Sequence, residues 1–106
     1  MDPGTLRAGP LQLDLNRLTI GNGHEETPLT ATEATLLSML IRNSGNLVTR
    51  SDLVAASLDS LPDPKQRRLD THISNLRRKL QACTGTAVGI RIQSHRGRGY
   101  TLRFEP

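Results

Sequence analysis

The opening segment of the chain alternates. In "LRAGPLQLDLNRLTIGNG", Leu11, Leu13 and Leu15 are separated by Gln12, Asp14 and Asn16. A period of two punctuated by Gly and Asn predicts short antiparallel strands, with further strands at "NRLTI" and "ETPL" around the turn "GNGHEE". At "LTATEATLLSMLIRNSG" the period lengthens to that of a helix. Leu36, Leu37, Leu40 and Ile41 form one apolar stripe, closed by "NSG". A capping box opens it, the Thr30 side chain accepting from the Glu33 amide while Glu33 reaches back. "NLV" predicts a strand of one ladder. "TRSDLVAASL" repeats the capping logic with Thr49 and Asp52 and buries Leu53, Val54 and Leu58. Pro62 and Pro64 make "DSLPDPKQ" a loop, since neither continues a helix.

A third helix is predicted over "QRRLDTHISNLRRKL", Gln66 to Leu80. Leu69, Ile73, Leu76 and Leu80 make a narrow stripe that seats it on the first two helices. The side opposite holds Arg67, Thr71, Ser74, Asn75 and Arg78, with Arg77 and His72 on the flanks. Asp70 is the only acid in the segment, whereas a solvated helix usually intersperses Glu with Lys to gain pairs one turn apart. The chain closes with "GIRIQSHRGRGYTLRFEP". Ile90 and Ile92 alternate with Arg91 and Gln93, then Tyr100, Leu102 and Phe104 alternate with Thr101 and Arg103. This is a β-hairpin whose glycines supply positive φ at the tip, from which Arg96 and Arg98 project.

Composition narrows the field. At 106 residues the chain is expected to be one domain, 1–106, and its only aromatics are Tyr100 and Phe104, so Leu, Ile, Val and Ala must build the core. The single cysteine, Cys83, excludes an internal disulfide, fits a reducing cytoplasm and is expected in the core. No apolar run approaches the ~20 residues of a membrane span, and "MDPGTLRAGP" lacks the apolar stretch of a signal peptide. Charge changes the picture more. Residues 1–64 carry four Arg against eight Asp or Glu, and residues 65–106 carry ten Lys or Arg against two acids. The halves are −4 and +8, which sum to the net +4. That asymmetry points to a polyanion on the C-terminal half, nucleic acid first and an anionic membrane surface second, with plain solvation of a basic face as the bland alternative. Catalysis finds no support: there is no nucleophile triad and no phosphate-binding glycine loop. His24, His72 and His95 lack metal-ligand spacing, so neither a metal nor a cofactor is expected.

Three helices, the last with a basic polar outer face, followed by an arginine-tipped hairpin, make the layout of a winged helix-turn-helix. Such a helix fits the major groove, where Asn, Ser and Thr read base edges while Arg serves phosphates at the rim or guanine within it. A slim hairpin with Arg at its tip suits the narrow, negative minor groove. The run "LTATEATLLSMLIRNSGNLVTRSDL … RRLDTHISNLRRKL … IRIQSHRGRGYTLR" resembles the DNA-binding effector domain of the OmpR/PhoB family of bacterial response regulators. The likeness covers nearly the whole chain, and "LTATE", "DTHISNLRRKL" and "HRGRGY" carry it.

The resemblance implies an α+β fold. It comprises a four-stranded antiparallel N-terminal sheet (6–28), a three-helix bundle (30–83, with a loop at about 58–66) and a C-terminal hairpin wing (89–105) that also pairs with a short strand between the first two helices. It implies sequence-specific binding of double-stranded promoter DNA, often as head-to-tail dimers, by a cytoplasmic, non-enzymatic regulator with no small-molecule substrate. An upstream receiver carrying a phosphorylatable Asp is expected in such regulators. The family's recognition-helix contacts fall on Arg67, His72, Ser74, Asn75, Arg77 and Arg78, and its wing contacts on Ser94, Arg96 and Tyr100. The 58–66 loop, with Asp59 and Asp63, falls where such proteins touch RNA polymerase. The chain departs from the family in "AASLDS" where Trp is common, in Asn75 where Arg or Lys is common, and in Arg98, which adds charge at the wing tip. RNA binding and a winged-helix scaffold for protein contacts are the alternatives. The near absence of aromatics for stacking bases weighs against the first.

Overall fold

The structure, a computed structural model, describes residues 4–23, 25–59, 61–84 and 89–105. Four short strands come first: β1 (Thr5–Ala8), β2 (Leu11–Asp14), β3 (Thr19–Gly21) and β4 (Glu26–Pro28). They pair antiparallel in chain order, with Leu13 opposite Leu6 and Ile20. The period-two pattern sends Leu11, Leu13 and Ile20 to one face, where all three are buried. His24, in the predicted turn, lies outside the described residues.

Helix α1 (Ala31–Arg42) begins as the sequence predicts. Thr30 Oγ1 accepts from the Glu33 amide at 3.1 Å, and Glu33 Oε1 accepts from the Thr30 amide at 2.9 Å. Leu36, Leu37 and Leu40 of its stripe are fully buried. Strand β5 (Val48–Thr49) and helix α2 (Arg50–Ser57) follow, with Thr49 capping through the Asp52 amide. Leu53 and Leu58 are buried, whereas Val54, also expected in the core, is only partly so because it lies on the shoulder of a two-turn helix.

The third helix departs from expectation at its start. Pro64–Arg67 forms a separate 3₁₀ turn, capped by Asp63, whose Oδ1 accepts from the Lys65 amide at 2.9 Å. Arg68 is extended (φ −83°, ψ 101°), and helix α3 runs from Leu69 to Thr84. A proline at the first position favours a fresh helical start there, and the extended Arg68 then separates the two segments. Arg67 therefore stands ahead of α3 and not on its outer face. The seam behaves as predicted: Leu69, Ile73, Leu76 and Leu80 are all buried, each worth about 1.5–3 kcal/mol relative to exposure. Cys83 is buried with its thiol free.

Strands β6 (Gly89–His95) and β7 (Gly99–Glu105) pair antiparallel, and β5 adds to the other edge of β7 to give the order β5-β7-β6. The two tip glycines do different work. Gly97 takes positive φ (+73°) in the turn. Gly99 instead allows close approach, since a Cβ there would lie 2.0 Å from the Val48 carbonyl oxygen. The alternation also fails at two places. Thr101 is buried, its hydroxyl 2.7 Å from His95 Nε2. Phe104 is 40% exposed, because at the end of β7 its ring reaches past the core to lie over Gly9.

Two of the polar contacts that tie α3 to the rest lie away from the wing. Lys79 Nζ meets Glu33 Oε1 at 2.5 Å, joining α3 to the buried start of α1. Asn22 Nδ2 donates to the Cys83 carbonyl at 2.8 Å, joining the N-terminal sheet to the far end of α3. Burial alone pushes the Glu33 carboxyl up, but the Lys79 ammonium and the Thr30 amide and hydroxyl together outweigh it and hold it below the usual carboxylate range.

Because the folded carboxyl releases its proton more readily than the unfolded one, its stabilisation is complete above the unfolded value of about 4.5 and is lost as pH falls through the folded value. Glu33→Gln is expected to lower stability by about 1–3 kcal/mol at neutral pH and to flatten the acid limb of stability against pH. Urea denaturation between acid and neutral pH checks this, and an unchanged acid limb would contradict it.

Candidate nucleic-acid interface

Helix α3 keeps its seam inward, so Thr71, Ser74, Arg77 and Arg78 stand exposed while His72 and Asn75 are half-buried at the margins. The wing turn, Arg96 to Arg98, is exposed, as is Ser94. These two elements lie side by side: Asp70 and Arg77 of α3, Arg50 of α2, and Ser94, Arg96, Gly97 and Tyr100 of the wing line one cleft of about 390 Å³. Arg67 is exposed on its 3₁₀ turn ahead of α3. Asp59 and Asp63 are exposed in the loop before it, with Asp63 engaged as a cap.

Arg77 turns towards the wing. Its Nε and Nη2 donate to the Ile92 carbonyl at 3.0 and 2.8 Å, and Nη2 also donates to Ser94 Oγ at 2.6 Å. Its guanidinium carbon sits 5.6 Å from the centre of the Tyr100 ring, within cation–π range. The periodicity places Arg77 on a flank. What it does not reveal is that the flank meets β6, so that only Nη1 remains for an outside contact among the described residues.

Tyr100 is likewise drawn inward. Its ring is buried and its hydroxyl donates to Asp70 Oδ1. Asp70 in turn pairs with Arg50, Nη1 to Oδ1 at 2.9 Å. The Arg50 bond, followed by the tyrosine hydroxyl, holds the Asp70 carboxyl below its ordinary value. Burial, followed by the bond to Asp70, pushes the Tyr100 phenol up. The Asp70 bond raises the Arg50 guanidinium further above its already high value. Both partners of the Arg50–Asp70 pair are largely exposed, so its worth lies more in geometry than in stability.

The wing tip is also held from below. The Arg98 carbonyl accepts the Arg50 amide at 3.0 Å, satisfying an N–H that the first turn of α2 would otherwise leave open. Sequence reasoning did not identify Arg50 and Asp70 as the residues joining α2, α3 and the wing. The signal was present: a lone acid in a cationic helix needs a local cationic partner.

The side chains that point outward from this surface are therefore Arg67, Thr71, Ser74, Arg78, Arg96 and Arg98, with Asn75 and His72 at the edge. Asn75 and Arg78 touch, Arg78 Nη2 donating to Asn75 Oδ1 at 3.2 Å. The arrangement offers a row of short polar groups flanked by guanidinium groups, at the spacing of a helix and a ribbon. That chemistry fits phosphate oxygens and base edges. Among the described residues, no cluster of His, Cys, Asp or Glu is arranged to hold a metal.

Known proteins share this fold and much of this sequence. The family model described as "Transcriptional regulatory protein, C terminal" matches residues 24–102. The chain is 35% identical over 103 residues to the sensory transduction protein RegX3 of Mycolicibacterium smegmatis, covering 95% of this chain and 43% of that protein. It is 35% identical over 105 residues to the transcriptional regulatory protein CpxR of Klebsiella pneumoniae, covering 92% of this chain and 44% of that one. The chain thus spans less than half the length of these relatives. Among solved structures, the DNA-binding domain of CpxR from E. coli superposes with a TM-score of 0.74 at 35% identity, covering 93% of this chain and 95% of that one. The DNA-binding domain of Klebsiella pneumoniae RstA, in complex with the RstA box, superposes with a TM-score of 0.70 at 26% identity, covering 93% and 96%.

Arg77→Ala leaves the Ile92 carbonyl and the Ser94 hydroxyl without their guanidinium partner and is expected to destabilise the domain by about 1–3 kcal/mol. Arg77→Lys, which keeps the charge but not the fork, is expected to recover only part of that loss. Denaturant titrations of the three proteins check this. Equal midpoints would mean that the wing is held without Arg77.

Proposed function

This chain belongs to the family of transcriptional regulatory protein C-terminal domains, the OmpR/PhoB-type DNA-binding effector domains, and on that premise we propose a mechanism for it. Residues 1–106 act as one winged-helix domain that binds double-stranded promoter DNA sequence-specifically and regulates transcription. Helix α3 enters the major groove and the Arg96–Arg98 turn meets the adjacent minor groove. The observation that carries this reading is the single cleft shared by α3 and the wing, with guanidinium groups on both of its walls.

Two energetic contributions separate. Arg67, Arg96 and Arg98 supply a salt-dependent attraction to phosphates, and Asp70, the one acid of α3, is already paired with Arg50. Thr71, Ser74 and Asn75 face base edges, each good contact adding about 1–3 kcal/mol of discrimination. His72 and Ser94 fit phosphate contacts at the margins. Arg77 and Tyr100 serve chiefly by holding the wing against α3, since the groups expected to reach DNA are bonded inside the domain. That is a different role from the direct contact the family motif implies.

The wider setting follows the family. The loop at about 58–66, with Asp59 and Asp63 exposed, faces RNA polymerase, and two copies sit head to tail on repeated half-sites. Among the described residues no helix is long and apolar enough to cross a membrane. The protein works without an enzymatic step of its own, where it meets the chromosome in the cytoplasm.

In vitro selection from random duplexes is expected to return one preferred sequence, and affinity for it is expected to fall linearly with the logarithm of salt concentration. Arg96→Ala is expected to weaken binding to specific and random duplexes alike and to reduce the salt slope by about one. Fluorescence titrations at several salt concentrations check this. A slope equal to that of the unaltered protein would remove Arg96 from the phosphate contacts.

A further inference from the structure

Asn75 and Arg78 stand one turn apart on α3, so their side chains meet on the helix surface. Arg78 Nη2 donates to Asn75 Oδ1 at 3.2 Å. Chemistry dictates which amide atom faces the guanidinium: arginine carries donors and no acceptor, so its neighbour must be the oxygen and not the nitrogen.

This bond changes what Asn75 can read. Asparagine recognises adenine through a fork, its Nδ2 donating to N7 and its Oδ1 accepting from the N6 amino group. Here Oδ1 is turned along the helix towards Arg78. Turning the amide to aim both of its atoms at one purine draws Oδ1 away from Arg78, and Asn75 is half-buried. Arg78 takes one of the two lone pairs of Asn75 Oδ1, so the pair offers mainly donors, Asn75 Nδ2 and the remaining N–H groups of Arg78. Guanine's major-groove edge shows two acceptors, N7 and O6, whereas thymine shows one, O4, beside its methyl group. Adenine N6 and cytosine N4 would set donor against donor. The hydroxyls of Thr71 and Ser74 rotate to donate or accept, so they do not reverse this preference.

We propose that Asn75 and Arg78 act as one donor-rich reader that selects guanine at the base they face, with Arg78 drawing Asn75 Oδ1 away from adenine. The inference rests on α3 being the major-groove helix and goes further, to the base and to the residue that sets the preference.

Selection from random duplexes with the unaltered protein, Asn75→Ala and Arg78→Ala tests it, with melting curves confirming that each variant is folded. The position whose stringency drops in Asn75→Ala marks the base that Asn75 faces. Guanine is expected there in the unaltered protein, and its replacement by adenine is expected to weaken binding about 5- to 150-fold. In Arg78→Ala the freed amide regains its fork, and the preference at that position is expected to move to adenine. Adenine at that position with the unaltered protein, guanine retained in Arg78→Ala, or an Asn75→Ala site identical at every position would each overturn the proposal. A selection that enriches no sequence with any of the proteins would instead overturn the sequence-specific reading of the domain, and this pairing with it.

Discussion

The expulsion of water from between α3 and the two helices beneath it governs the geometry of everything else in this domain. Leu69, Ile73, Leu76 and Leu80 have few aromatic neighbours to help them, so they pack against the aliphatic side chains of α1 and α2 and leave almost no surface behind. A helix committed along so narrow a seam has no freedom to rotate about its axis. The cationic and amide-bearing side is outward because the other side has nowhere else to go. The absence of opposing acids on that side has a cost in lost helix-surface pairs, which a purely structural helix has no reason to bear.

Apolar packing orients α3, but polar contacts place the wing. Arg77 grips the backbone of β6, Tyr100 reaches Asp70, and Asp70 reaches Arg50 at the start of α2. The tip of the wing rests on the same residue through the Arg98 carbonyl. Hydrogen bonds are directional where hydrophobic contact is not, so this chain of contacts sets an angle as well as a proximity. Glycine at position 99 belongs to the same arrangement, since any side chain there would push β7 off β5.

Much of this was legible in the residues. The Thr30–Glu33 box, the α3 seam and the hairpin alternation are local patterns, and local patterns survive translation into three dimensions. The failure at Arg67 has a local cause, and the others depended on a partner distant in sequence. Arg67 fell off the helix because Asp63 and Pro64 start a separate 3₁₀ turn, and Arg68 interrupts it. Phe104 stayed half in solvent because the turn at Gly9, and not the core, lies beneath it. Arg77 looked like any other cation on a basic face, and nothing in its own segment announces that β6 runs alongside. The same blindness hid Arg50, whose role depends on an aspartate twenty positions away.

The contact between Asn22 and the Cys83 carbonyl looks minor beside these. Together with Asp70 at the opposite end and Lys79 between, however, it clamps α3 along its whole length. Held at these points, and by Arg77 on β6 as well, α3 does not roll or slide in place. If α3 docks in the groove as proposed, any yielding has to come from the duplex. Steps that bend and unstack readily, the pyrimidine–purine ones, become the places where a target tolerates variation, and stiff A-tracts become the places where it does not.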